Sequence, residues 1–195
     1  MRKEIRTVVY DEELRMEAYR FEGIVQPFPS HFHEHYVIGV VESGERALSC
    51  RGREYAIGEG NILLFHPGDS HACVQSDGGM LDYRGINIAK ETMIDLAEEI
   101  TGKRELPGFS ENVIEDEEAA CHLRSLHEMV MTGRAVLSAG EYCPYLHACI
   151  QCRCDYIGCA VLHGGAVTTF FENGRTAAGK FLYRFCGGNG RGRFN

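Results

Sequence analysis

Turn residues recur so closely between Ile5 and Ala89 that helices of ordinary length do not fit between them, and this spacing constrains the fold more than any other feature. The punctuation is Gly23, Pro27 and Pro29, Glu42-Ser43-Gly44, Gly52, Gly58-Glu59-Gly60, Pro67-Gly68-Asp69 and Asp77-Gly78-Gly79. Between these turns lie candidate strands at 5–10, 14–21, 35–42, 46–51, 54–57, 61–65, 71–75 and 81–89. Short strands at such spacing predict an antiparallel, mainly β sandwich or barrel over residues 1–89.

The period changes after Lys90. Met93, Ile94, Ala97 and Ile100 recur at three- and four-residue intervals until Gly102, which predicts a helix. Acids at Glu115, Asp116, Glu117 and Glu118 precede a second stripe of Ala119, Ala120, Leu123, Leu126, Met129 and Val130. Negative charge at the start of an apolar stripe marks a helix N-terminus. Residues 90–131 therefore form a helical segment whose stripes either pack on the barrel or pair with those of a second copy in a homodimer. His122 and His127 lie on the second helix and are expected to face solvent or an interface.

The most chemically informative segment is Pro29-Ser30-His31-Phe32-His33-Glu34-His35-Tyr36-Val37-Ile38-Gly39-Val40. In an extended chain, residues two apart share a face, so His31, His33 and His35 point with Val37, Gly39 and Val41 toward an inner wall. Later, Gly60-Asn61-Ile62-Leu63-Leu64-Phe65-His66-Pro67-Gly68-Asp69-Ser70-His71 runs a buried strand into a tight turn, and His71 opens the next strand. His66 precedes Pro67 and its direction is open. Tyr83, Arg84 and Asn87 fall on the last strand, where they either orient a ligand or occupy ordinary surface positions. Cys73 shares the face of His71 and reads as a small buried thiol.

These two segments resemble the halves of the cupin signature, an HxH element and a Gly-x6-Pro-Gly-x-x-His element. Residues 19–89 are similar to the N-terminal ligand-binding and dimerisation domain of AraC-type transcription regulators, and the helices over 90–131 match that layout. The resemblance implies a cupin barrel, a double-stranded β-helix or jelly roll, followed by two α-helices. It also implies a ligand site at His31, His33, His35, His71 and Tyr83, with His31, His33 and His71 in the positions of cupin metal ligands. The glutamate of the cupin metal set is missing. Val37 and Ile38, or Gly39 and Val40 if the pair is His33 and His35, stand where it would fall. Three neutral imidazoles suit a divalent transition metal, Zn²⁺ or Ni²⁺, with water completing the shell; a metal-free polar pocket uses the same residues.

Beyond Gly133 the composition shifts. Cys143, Cys149, Cys152, Cys154, Cys159 and Cys186 crowd the tail, and residues 134–195 hold three acids against seven Lys and Arg. That leaves 25 acids and 13 bases in the first 133 residues, a surface that repels phosphate and disfavours direct contact with DNA. DNA would be reached only through a helix-turn-helix region that the tail does not resemble. The tail reads either as a weak zinc site around His147, Cys149, Cys152, Cys154, Cys159 and His163 or as the product of a shifted reading frame. No run approaches the roughly 18 apolar residues of a membrane span. The chain is thus expected to be a cytoplasmic sensor of a small polar effector such as a sugar. A small metal-dependent cupin isomerase or oxygenase acting on a sugar or carbonyl compound is the alternative, with a stand-alone structural barrel third.

Overall fold

The computed structural model describes residues 3–76 and 78–133, all within one compact unit. Strands β1 (Ile5–Asp11), β2 (Met16–Ile24), β3 (Phe28–His31), β4 (Tyr36–Ser43), β5 (Arg46–Cys50), β6 (Arg53–Ile57), β7 (Asn61–Phe65), β8 (His71–Gln75) and β9 (Leu81–Ile88) lead into helix α1 (Lys90–Thr101). Strand β10 (Val113–Glu115) and helix α2 (Glu117–Thr132) follow.

The strands form two antiparallel sheets, β1-β2-β9-β4-β7-β10 and β3-β8-β5-β6. Successive strands from β2 to β9 cross repeatedly between them, so that β2-β9-β4-β7 faces β3-β8-β5-β6. This interleaving is the eight-stranded jelly roll of a double-stranded β-helix. Strands β3 and β10 carry no clear period of their own. Strand β3 has four residues with two exposed in the middle, and β10 has three held by pairing Val113, Ile114 and Glu115 with Leu63, Ile62 and Asn61 of β7.

Burial separates the sheets and explains their sequences. Strands β5 and β8 alternate buried and more exposed positions, as expected of strands with one face in water. Tyr36–Val41 and all of β7 are buried or nearly so on both faces. Their inner side chains, Val37, Val41, Leu63 and Phe65, join Tyr19, Leu48, Cys73 and Tyr83 in the barrel interior. Their outer side chains, Ile38, Val40, Ile62 and Leu64, join a second cluster with Met93, Leu96, Ala119, Leu123, Leu126 and Val130 of the helices. Each fully buried side chain of this kind contributes about 1.5–3 kcal/mol.

Both helices therefore bury their stripes against their own barrel, and pairing between subunits would have to use other surfaces. Asp116 caps α2 by accepting from the Ala119 N–H at 2.9 Å. Gly102 and Gly133 end the helices in the left-handed conformation, at φ 73° and 61°. No helix of the described residues is long and apolar enough to cross a membrane. The cysteine and histidine cluster expected beyond Gly133, and the shifted-frame reading of that tail, lie outside the described residues.

Candidate functional site

The histidine segment spans the corner between the two sheets. His31 ends β3, the chain bends at Glu34 and His35, and Tyr36 opens β4 in the other sheet. Alternation survives the corner: Phe32 and Glu34 are exposed whereas His31, His33 and His35 are half-buried. His31 lies opposite His71 in the β3–β8 ladder. The Pro67-Gly68 turn closes the arrangement, because the Gly68 N–H donates to the His33 carbonyl at 2.8 Å. Gly68 has φ 88°, where a side chain would strain the backbone.

These contacts gather three imidazoles. Ring centroids are 4.9 Å apart for His31 and His33, 4.4 Å for His31 and His71, and 5.2 Å for His33 and His71. One nitrogen from each of the three lies within 4.8 Å of the others. A tetrahedral zinc site with bonds near 2.05 Å needs about 3.3 Å between nitrogens, so small ring rotations suffice. His31 Nδ1 sits 2.7 Å from the Pro29 carbonyl, and His71 Nδ1 sits 2.9 Å from the Asp69 carbonyl. A carbonyl only accepts, so each Nδ1 carries the proton and donates it, leaving each Nε2 as a lone-pair donor. Backbone anchoring of the far nitrogen is how metal-binding histidines are commonly oriented. His71 also stacks on Phe65 at 4.0 Å and 6°.

Electrostatics disfavours the charged forms of His33 and His71. Burial, followed by the neighbouring His71, His31 and His35, lowers His33 to about 4. Burial likewise lowers His71 against the opposing hydrogen bond to Asp69. The donor set fits a divalent transition metal: three imidazoles, of which His31 and His71 are fixed in the ligating tautomer.

His35 stands beside this group, with its ring 5.0 Å from that of His33, and its Nε2 is buried without a hydrogen-bond partner. On the same inner face, Asn87 donates through Nδ2 to Glu17 at 2.6 Å, and its buried Oδ1 has no partner. Asn87 lies opposite Val37, two residues after His35 along the chain. Two orphaned buried polar atoms at this end of the barrel mark a place where a ligand or water hydroxyl would be satisfied.

Other expected residues have different fates. His66 is engaged at both nitrogens: Nδ1 donates to Asp69 Oδ2 at 3.0 Å, and Nε2 accepts from the Phe109 N–H at 2.7 Å. It ties the chain before β10 to the turn and has no nitrogen left for a ligand. Tyr83 lies inside the barrel, with its hydroxyl 3.5 Å from that of Tyr19. A Cβ on Gly39 would sit 2.0 Å from Tyr83 Oη and 2.8 Å from the Arg84 carbonyl. The inward β4 position that could have carried the missing carboxylate is therefore roofed by a phenol. Arg84 faces outward, its Nε 2.7 Å from Glu42 Oε1 but off the line of a hydrogen bond. Arg124 of α2 grips both oxygens of the same carboxylate, at 2.9 and 3.1 Å. Cys73 is buried, and burial pushes its thiol up to about 11.

His127 corrects the sequence expectation. It is fully buried, not solvent-facing, and its Nε2 donates to the Tyr19 carbonyl of β2 at 2.9 Å. The helix period places it beside Leu123 and Leu126, a signal that its polar character concealed. His122 is half-buried and lies 3.9 Å from Glu118.

Comparison with known proteins completes the description. A profile of the AraC-like ligand binding domain matches residues 13–140. The HTH-type transcriptional regulator YbfI of Bacillus subtilis (strain 168) is 45% identical over 147 residues, which cover 75% of this chain and 53% of that protein. The chain thus spans about half the length of this curated relative. Among solved structures, an RmlC-like cupin with a double-stranded β-helix fold from Methanocaldococcus jannaschii is 14% identical, covering 46% of this chain and 83% of that one with a TM-score of 0.40. A conserved double-stranded β-helix protein of Klebsiella pneumoniae is 22% identical, covering 44% and 76%, with a TM-score of 0.38.

Proposed function

Because this chain belongs to the family of AraC-like ligand-binding domains, we propose that it senses a small polar metabolite, such as a sugar, at the histidine end of its barrel on behalf of a cytoplasmic transcription regulator. DNA would be read by a helix-turn-helix region outside the described residues, since the acidic barrel is a poor partner for phosphate. The observation that carries the reading is the convergence of one nitrogen each from His31, His33 and His71, with the Nδ1 atoms of His31 and His71 held by backbone carbonyls, at one end of a barrel whose interior is lined by packed side chains.

In this reading His31, His33 and His71 hold Zn²⁺ or Ni²⁺, with water or an effector oxygen as the further ligand. His35 borders the site, and Tyr83 forms its floor across Gly39. The metal supplies a positive centre for a hydroxyl or carboxylate of the effector. A catalytic reading gains no support from the β4 wall, where Gly39 stands in place of a carboxylate.

The route to a response runs through β2. Tyr19 puts its side chain into the barrel interior, and its carbonyl receives the His127 hydrogen bond from α2. An effector that repacks the Tyr19–Tyr83 pair would be felt at α2, to the extent that it binds the two arrangements with different affinity.

Titration of the purified full chain with Zn²⁺ and Ni²⁺ against a chromophoric chelator tests the metal. One equivalent is expected in the native protein and in His66→Ala, and none in His33→Ala or His71→Ala. Native protein that takes up no metal removes this part of the proposal. A thermal-shift panel of sugars and small polar acids tests the effector, and a hit that His71→Ala leaves unchanged would place the site elsewhere.

A further inference from the structure

The triad leaves one imidazole over. One nitrogen each of His31, His33 and His71 lie within 4.8 Å of one another, while His35 stands a ring further out, 5.0 Å from His33 between centroids. It is half-buried, and among the described residues its buried Nε2 has no hydrogen-bond partner. His66 shows how a structural histidine is held in this fold, with an acceptor at one nitrogen and a donor at the other. A buried polar atom left unsatisfied costs about 1–3 kcal/mol, so the placement of His35 calls for a cause.

His35 is also placed to move. The Gly68 N–H holds the His33 carbonyl at 2.8 Å, and β4 begins at Tyr36. Glu34 and His35 therefore form the bend between a fixed point and a strand. Turning Nε2 of His35 toward the triad breaks no hydrogen bond of that nitrogen among the described residues. The neighbouring wall offers nothing else: Val37 is packed in the interior, Gly39 has no side chain, and Glu34 lies on the exposed face. The next residue, Tyr36, donates its hydroxyl to the Pro107 carbonyl at 2.8 Å, in the connection between α1 and β10. A shift of His35 thus acts on a strand end that is tied to the chain between the helices.

We infer that His35 is an exchangeable fourth ligand, which closes the shell of a divalent transition metal held by His31, His33 and His71 and gives up its place to an effector. The inference rests on the metal reading given above and adds the residue that fills the remaining position. Three imidazoles leave the open position of a catalytic zinc site, whereas four make the closed tetrahedral set of a structural one. Imidazole suits zinc, cobalt and nickel alike. The missing glutamate is replaced by a ring from the corner between the sheets, and an effector group must compete with that ring.

Cobalt is the probe, since its visible spectrum reports the ligands around it. The full native chain is titrated with Co²⁺ and then with azide, beside His35→Ala and His35→Gln, so that one folded variant suffices. Both variants are expected to bind Co²⁺ at least about tenfold more weakly, the lower end of what loss of even a supporting residue costs at a metal site. Azide is expected to bind the Co²⁺ forms of the variants at least about tenfold more tightly than the native form, where the position is open only in a minor fraction of molecules. Free imidazole is expected to return the spectrum of His35→Ala to the native one. A native chain that takes up no Co²⁺ removes the metal reading and this inference with it. A native chain that binds Co²⁺, and loses it in His33→Ala, but matches the His35 variants in either Co²⁺ or azide affinity overturns this inference alone.

Discussion

The two ends of the barrel both place polar side chains at the mouth of an apolar interior, but use them in opposite ways. At one end Arg46, only 1% exposed, donates to the carbonyls of Ile24 at 2.7 Å, Gly79 at 3.0 Å and Glu45 at 3.3 Å. Gln75, across the ladder from Arg46, donates to the carbonyls of Val25 and Gly79. Both terminal nitrogens of Arg46 meet backbone acceptors, and only its Nε lacks a partner. At the other end of the same two strands, Cys50 lies opposite His71, and His31 and His71 turn their Nδ1 atoms to the backbone while their Nε2 atoms remain available. The difference teaches that burial of polar groups does not by itself identify a site. What matters is whether their hydrogen-bonding capacity is already engaged. His66, engaged at both nitrogens, fails that test as a ligand, whereas His31 and His71 keep Nε2 beyond their anchored Nδ1 and His35 keeps a buried Nε2 without a partner.

The sharpest attack on this contrast is Arg46→Met, which leaves carbonyls of three segments without their donor. It is expected to cost about 3–5 kcal/mol in urea unfolding; a near-native midpoint would mean that this end is not held by this residue. Metal comes next. Zn²⁺ at a hundredfold excess over its dissociation constant should raise stability by about 2.7 kcal/mol, and this gain should vanish in His33→Ala. His66→Ala, which unpairs the Phe109 N–H and the Asp69 carboxylate, should cost about 1–3 kcal/mol while leaving Zn²⁺ stabilisation intact. Loss of both together would erase the distinction between engaged and free histidines.

The pH response follows from His33. Its pKa of about 4 in the folded protein lies below the ordinary value near 6.5, so the unfolded chain binds the extra proton between these limits. Metal-free stability contributed by neutral His33 is present above about pH 6.5 and is lost as pH falls toward 4. His33→Ala should therefore show a shallower decline in its thermal midpoint between pH 7 and 5. An equal slope would show that other groups set the response. The smallest expected effect is the stability of metal-free His33→Ala at pH 7, within about 0.5 kcal/mol of the native chain, because the ring is half exposed.

Much of the fold was readable because its causes are local. Gly44, Gly52, Gly60 and Gly68 all adopt positive φ at the turns they were expected to make. The unbroken apolar runs Tyr36–Val41 and Ile62–Phe65 reported strands buried on both faces, and the helical period after Lys90 supplied their cover. The histidine spacing put His31 and His33 on one face, and the resemblance to the cupin signature named His71 as their partner. Strands β3 and β10 were not legible, since each depends on its neighbour for a ladder. Nor were Arg46 and His127, whose polar side chains are buried only because distant carbonyls meet them.

By itself the sequence determined the strand and helix periods, the turns, the acidic character of the first 133 residues and the residue types at the candidate site. These follow from conformational preference and hydrophobic pattern along the chain. Only the tertiary structure decided which histidines keep a free nitrogen. That depends on groups that folding delivers from far away: the Phe109 N–H, 43 residues from His66, fills that ring's second nitrogen, whereas the Tyr19 carbonyl, 108 residues from His127, engages Nε2 and leaves Nδ1 without a partner.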